Sequence, residues 1–225
     1  MMKAYAEMIR DLSGNNPVKR EQHLNIIIEE TDRLTQLVND MLDLSKLESG
    51  AQKLDYSTFD IAQCMEEIVH RYEGVSERMG YHIHLTLDKS CMVRCDESKI
   101  DRVIGNLINN AINYTSKEDK QVFVTQRNLP QCVRIEVRDT GDGIEEDKIK
   151  LIFDKYYRSE NHKREVVGTG LGLSIVKEIL KMHNYNYGVN SKLGEGSTFW
   201  FEIRDIVPPE QPEEDETPDA EVRQL

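Results

Sequence analysis

Two glycine clusters hold the residues of this chain best suited to chemistry. The first is Asp139-Thr140-Gly141-Asp142-Gly143-Ile144, and the second is Gly168-Thr169-Gly170-Leu171-Gly172-Leu173-Ser174-Ile175. Glycine lets another group approach the backbone closely. The second cluster runs into Leu173, Ile175, Val176, Ile179 and Leu180, whose spacing predicts a helix. A glycine loop that opens a helix offers free N–H groups and the positive end of the helix dipole, so it suits a phosphate. Asp139 ends an apolar run. A carboxylate there can accept a hydrogen bond from an exocyclic amine, which would favour adenine over guanine. Upstream, Asn106 and Asn110 stand one helical turn apart and share a face. Bare amides need partners in a core, and an amide oxygen is a hard neutral ligand for Mg²⁺, which also binds phosphates. Each feature has a plainer reading as well: turn glycines, a turn-forming Asp, solvent-facing amides. Together they favour a site for metal and phosphate.

These groups need elements to position them. Ala4, Tyr5, Met8, Ile9 and Leu12 predict the end of a helix, stopped by Ser13-Gly14-Asn15-Asn16-Pro17. It starts mid-pattern and reads as part of a longer helix. A second helix is expected from about Val18 to Leu47. Leu24, Ile27, Thr31, Leu34, Val38, Met41 and Ser45 line one face, widened by Ile28, Leu37, Leu42 and Leu44. A stripe this broad exceeds what a lone hairpin buries, so the hairpin reads as half of a four-helix bundle completed by a symmetric dimer. Packing onto the chain's own globular part is the alternative. After Ser49-Gly50-Ala51 the pattern alternates. A helix is expected from Phe59-Asp60-Ile61 to about Tyr72, strands over 81–87 and 91–95, and a helix capped by Asp96 through about Tyr114. A hairpin of 121–128 and 131–139 follows, then a helix over 171–183 and strands near 186–191 and 197–204. That sequence of elements predicts helices on one face of a mixed sheet.

Composition narrows the functions. Net charge is −12, and residues 209–223 hold seven acidic residues against one basic residue, beside Pro208, Pro209, Pro212 and Pro218. Residues 207–225 therefore read as a disordered acidic tail. The acidic balance disfavours nucleic acid. No run of eighteen apolar residues provides a membrane segment. Cys64, Cys91, Cys95 and Cys132 read as reduced, cytosolic cysteines.

In order and spacing these blocks resemble the catalytic and ATP-binding domain of bacterial sensor histidine kinases. Asn106 to Thr115 resembles the N box and Asp139 to Ile144 the G1 box. Ile152-Phe153-Asp154-Lys155-Tyr156-Tyr157-Arg158 resembles the F box, Gly168 to Leu173 the G2 box, and Gly194-Glu195-Gly196-Ser197-Thr198-Phe199 a later glycine-threonine motif. The resemblance implies an α+β chain: a helical hairpin, half of a dimeric four-helix bundle, followed by an α/β two-layer sandwich of the histidine-kinase and gyrase-type ATPase class. The expected domains are 1–48, the latter part of the dimerisation and histidine-phosphotransfer hairpin, 52–206, the catalytic ATP-binding domain, and the 207–225 tail.

The resemblance also assigns residues. ATP and Mg²⁺ are the implied cofactors. Asn110 is the implied Mg²⁺ ligand, Asp139 meets the adenine amine, and Gly168, Thr169, Gly170, Leu171 and Gly172 hold phosphates. Lys155 and Arg158 are candidate phosphate contacts, and about Arg158 to Val167 forms a lid. Asn106, Asn113, Tyr114, Gly141, Gly143, Ile144, Tyr157, Leu173 and Thr198 complete the expected nucleotide site. Asn113 departs from the family, where a basic residue is common, which leaves one phosphate contact open. The phospho-acceptor motif of the family is a His followed by an acidic residue and a short Arg/Lys-Thr/Ser-Pro segment. None of His23, His70, His82, His84, His162 and His183 has that context, and His23 reads as a solvated helix residue. The acceptor is therefore expected upstream of Lys3-Ala4-Tyr5, and this chain is expected to bind ATP without phosphorylating itself.

Three functions follow from this reading. The first is histidine kinase chemistry, passing the γ-phosphoryl of ATP to a histidine for relay to an aspartate on a response-regulator receiver domain. The second is an ATPase of the same superfamily. In such ATPases a Glu stands one turn before the metal-binding Asn. Asn106 occupies that position here and cannot serve as a base. The third is a nucleotide-sensing dimer module. Family members are mostly membrane-anchored, so the expected location is the cytoplasmic part of such a sensor, with a homodimer formed through the hairpin.

Overall fold

In the computed structural model, residues 2–115, 120–157 and 169–208 are described. The chain opens with α1 (Met2–Met8), which loosens into one π-helical turn over Ile9–Ser13. It then reverses through Gly14 and Asn15 into α2 (Pro17–Glu48). Asn16 caps α2, its side chain accepting from the Lys19 N–H at 3.1 Å, and Pro17 occupies the first turn, where its missing N–H costs nothing. His23 differs from the solvated residue expected. It is half-buried, its ring 5.4 Å from that of Tyr5 and its Nδ1 3.0 Å from Ser13 Oγ.

The remaining elements are β1 (Ser57–Asp60), α3 (Ile61–Met79), β2 (Tyr81–Thr86), β3 (Met92–Cys95), α4 (Glu97–Tyr114), β4 (Lys120–Leu129), β5 (Cys132–Asp139), α5 (Gly172–Met182), β6 (Asn186–Lys192) and β7 (Gly196–Ile203). Five strands form one sheet in the order β2-β4-β5-β7-β6, parallel only between β2 and β4. One face of that sheet presents Val122, Val124, Val133, Ile135, Val137, Phe199, Phe201 and Ile203, all fully or nearly fully buried. They meet Ile61, Met65 and Ile68 of α3, the whole expected apolar face of α4 from Ile100 to Ile112, and Ile175, Val176, Ile179 and Leu180 of α5. The mixed two-layer sandwich is thus as expected.

One boundary is corrected. The residues read as the start of a helix, from Phe59, first form a strand. β1 pairs antiparallel with β3 as a separate two-stranded sheet, Phe59 opposite Val93. The helix begins two residues later, at Ile61, because Asp60 Oδ1 accepts from the N–H groups of Ala62 (2.9 Å) and Cys91 (3.2 Å), tying the strand end to the first helical turn. α3 then runs to Met79, past the expected end at Tyr72.

The end of α2 joins this core. Leu44 and Leu47 are buried in the same cluster as the sheet and its helices, whereas Leu24, Ile28, Leu34, Val38, Met41 and Leu42 remain exposed along the helix. No helix among the described residues is long and apolar enough to cross a membrane.

His183, at the end of α5, is buried. The Asp96 N–H reaches its Nε2 at 3.2 Å, so that nitrogen must accept. The ring proton therefore sits on Nδ1 and is donated to the Ile179 carbonyl at 2.9 Å. Burial holds the imidazole below its ordinary value. The unfolded chain consequently takes up a proton near pH 6.5 that the fold refuses. Stability is full above that pH and falls below it, by up to about 1.4 kcal/mol per pH unit, until the depressed native value is reached. Thermal melts at pH 7.5 and 5.5 should show a smaller acid loss in His183→Gln than in the wild type. An unchanged loss would refute this role.

Candidate functional site

The site begins where β5 ends. Asp139 is buried, 2% exposed. Its Oδ1 accepts from the Gly141 N–H at 2.8 Å and the Ser197 N–H at 3.2 Å. The sheet register brings these groups together, since Arg138 stands opposite Thr198 and so places the next residue of each edge at the sheet end. Gly196 has φ +102°, and a Cβ there would lie 2.1 Å from the Asp139 carbonyl oxygen. Only glycine allows that approach. The first glycine loop then folds onto the β6–β7 turn. The Gly194 N–H donates to the Asp142 carbonyl at 2.7 Å, and the Ile144 N–H donates to Ser191 Oγ at 2.9 Å. Gly143 takes φ +71°, with the site of a Cβ 2.1 Å from the Lys192 carbonyl oxygen.

Above this floor lies a cavity of about 230 Å³. Asn110 and Tyr114 enter it from α4, Leu173 from α5, Ile144 from the glycine loop, Tyr157 and Ile152 from the following segment, and Ser197 and Phe199 from β7. Mostly apolar walls with a few convergent polar groups suit a flat heteroaromatic ring.

A wider cleft of about 760 Å³ adjoins it and shares Asn110, Tyr114, Tyr157 and Leu173. Its α4 wall adds Asn106, Asn109 and Asn113. Thr169, Gly170 and Gly172 line it at the start of α5, and Glu29, Glu30, Asp32 and Asp40 line it from α2. Gly170 has φ +72° and its carbonyl accepts from the Tyr156 N–H at 3.1 Å. Leu171 is fully buried and so anchors the loop from beneath. Thr169 Oγ1 accepts from the Leu171 N–H at 3.3 Å and donates to Asp40 Oδ2 at 2.9 Å. Arg102 of α4 reaches back to Asp43 at 2.6 Å and Asp40 at 3.4 Å. These bonds hold α2 against the second glycine loop.

The donor set fits a magnesium–phosphate group. Asn106 Nδ2 is buried with no hydrogen-bond partner among the described residues, and such an orphaned donor is costly unless an acceptor arrives. A phosphate oxygen or a metal-bound water would supply one. Asn110 stands between the cavity and the cleft, where its amide oxygen can serve a hard cation.

Most expected site residues therefore converge, but not all. Thr198 faces the other side of the sheet. It pairs with Arg138, whereas its buried neighbour Ser197 lines the cavity. Lys155, expected to meet phosphate, lies instead at the end of α2 in an ion pair with Glu48 at 2.6 Å. Asn113 is exposed at the rim of the wide cleft. Gly141 belongs to the floor through its N–H. Arg158 and Gly168, with the expected lid, lie outside the described residues. Sequence reasoning missed Ser191, Ser197, Asp40 and Arg102. The Gly-x-Gly-Ser order would have found Ser197. Nothing local marks Asp40.

Residues 95–206 match the model of the family described as histidine kinase-, DNA gyrase B- and HSP90-like ATPase, and residues 1–50 match that of the His Kinase A (phospho-acceptor) domain. Drug sensory protein A of Synechocystis sp. is 34% identical over 214 residues, covering 90% of this chain and 32% of its own length. Sensor protein kinase WalK of Staphylococcus aureus is 33% identical over 205 residues, covering 90% of this chain and 49% of its own. The chain thus spans 32% to 49% of the length of these curated relatives. Among solved structures, full-length ShkA in complex with AMPPNP matches with a TM-score of 0.74 at 26% identity, covering 84% of this chain and 40% of that one.

Proposed function

Because this chain belongs to the sensor histidine kinases, we propose that it binds Mg-ATP across the two adjoining hollows and donates the γ-phosphoryl to a histidine of an intact dimerisation domain. The observation that carries this reading is the pairing of a buried, backbone-anchored Asp139 under an apolar cavity with an amide face, Asn106 and Asn110, at its exit. The base would enter the cavity with its amine toward Asp139. The phosphates would lie in the wider cleft between α4 and Gly170–Gly172. Magnesium, when bound, would neutralise phosphate charge there, with Asn110 as its ligand from this chain. The residues of the chain orient the γ-phosphoryl for in-line attack by an imidazole nitrogen. A P–N bond forms as the bond from phosphorus to the ADP oxygen breaks, and the imidazole proton leaves to a base or solvent.

On this reading residues 1–48 form the dimerisation hairpin and 52–206 the catalytic domain. The exposed apolar residues of α2 between Leu24 and Leu42 meet a second copy, and the phosphorylated histidine passes its group to a response-regulator aspartate. The parent protein would place this part at the cytoplasmic face of a membrane. The ATPase alternative has less support, since the position one turn before Asn110 holds Asn106, which cannot act as a base.

Labelled ATP tests the reading. Label should pass to an added intact dimerisation domain and not remain on this chain, and Asn110→Ala should reduce transfer at least about a hundredfold by removing the metal ligand. Transfer unchanged in Asn110→Ala, or stable label on the chain itself, would refute it.

A further inference from the structure

The hydroxyl of Ser191 makes three contacts, and their chemistry fixes where each proton lies. The Ile144 N–H reaches Ser191 Oγ at 2.9 Å, and an amide N–H can only donate. The Gly196 carbonyl lies 2.9 Å away, and a carbonyl can only accept. The one proton of Ser191 is therefore committed to Gly196. The third contact is Ser197 Oγ, also at 2.9 Å. With the Ser191 proton already spent, this bond must be donated by Ser197. A serine hydroxyl has one proton and two lone pairs. Ser197, buried at the cavity wall, is thus left with acceptor lone pairs alone for anything in the cavity. Asp139 beside it is an acceptor as well.

We propose that Ser191 is a positioning residue that makes the polar floor of the cavity acceptor-only. It does so by locking the rotor of Ser197, and so the pocket takes a purine bearing an exocyclic amine and rejects one bearing a carbonyl at that position. This deepens the nucleotide reading and rests on it. Ser191 touches no ligand. It acts through Ser197 and, by holding the Ile144 N–H, also pins the first glycine loop.

The two roles separate experimentally. Isothermal titration of the whole chain with ADP and with inosine diphosphate, which carries a carbonyl in place of the amine, gives the ratio of the two affinities. In Ser191→Ala the Ser197 hydroxyl is released to turn and donate, so the preference for ADP should shrink by about tenfold, chiefly through tighter inosine diphosphate binding. Ser191→Thr keeps the hydroxyl and should restore the preference. In a Ser197→Ala background, Ser191→Ala should leave the ratio unmoved, because no rotor remains to lock. If Ser191 only pinned the loop, both affinities would fall together and the ratio would hold, which overturns the proposal. Should Ser191→Ala fail to fold, the ratio in Ser197→Ala decides, and a preference equal to that of the wild type overturns it. A wild-type chain that binds neither nucleotide overturns the nucleotide reading itself, a result distinct from an unchanged ratio.

Discussion

Asp139→Asn is expected to fold as the wild type does and to lose adenine-nucleotide binding by about a hundredfold or more. The amide oxygen of Asn can still accept from the N–H groups of Gly141 and Ser197, which anchor the carboxylate now. The second carboxylate oxygen becomes an NH₂ group, so one acceptor turns into a donor. An incoming amine would then face a donor in a buried site, and leaving such groups unpaired costs about 1–3 kcal/mol each. Asp139→Ala differs in kind. It strands both backbone N–H groups, and a loss of about 3 kcal/mol corresponds to a melting temperature lower by about 10 °C. Titration with ADP alongside thermal melts separates the two variants. Wild-type ADP affinity in Asp139→Asn would remove this residue from the base site.

The second large effect is Gly143→Ala. The new Cβ would stand 2.1 Å from the Lys192 carbonyl oxygen, at φ +71°. The strain of that backbone region, about 1–2 kcal/mol, adds to overpacking of about 1–3 kcal/mol. The neighbouring group is backbone held in the β6–β7 ladder, so the glycine loop must give way instead. Lifting it breaks the bond from the Ile144 N–H to Ser191 and opens the cavity wall. Nucleotide affinity should fall about a hundredfold, with a melting temperature lower by several degrees. Retained affinity would show that the loop can shift without opening the site.

Much of this architecture is legible in the sequence because its signals are local. α4 shows both a capping Asp96, whose side chain accepts from the Lys99 N–H at 3.1 Å, and a seven-residue apolar face that is buried in full. The hairpin of β4 and β5 turns at Pro130-Gln131, one residue past the expected Leu129-Pro130, since strict alternation leaves little freedom of register. What escaped depends on distant partners. β1 is four residues long and exists only by pairing with β3, while its own sequence runs directly into a helix. Ser197 and Thr198 are adjacent hydroxyl residues, and only the register of β7 against β5 decides which one faces the cavity. Lys155 has the right charge for phosphate, yet Glu48, 107 residues earlier, claims it. Asp40 lies 129 residues before Thr169, so its link to the second glycine loop has no trace in either segment.

Thr169 has a single hydroxyl proton, and here Asp40 holds it. A phosphate oxygen that recruited the same proton would be a competitor of α2, since Asp40 and Thr169 line the same cleft. Free energies of this sort are reciprocal. Whatever affinity the docked helix removes from such a ligand, the ligand removes from the docking of the helix. The docked helix and a loop that reads phosphate would then depend on the same hydrogen atom.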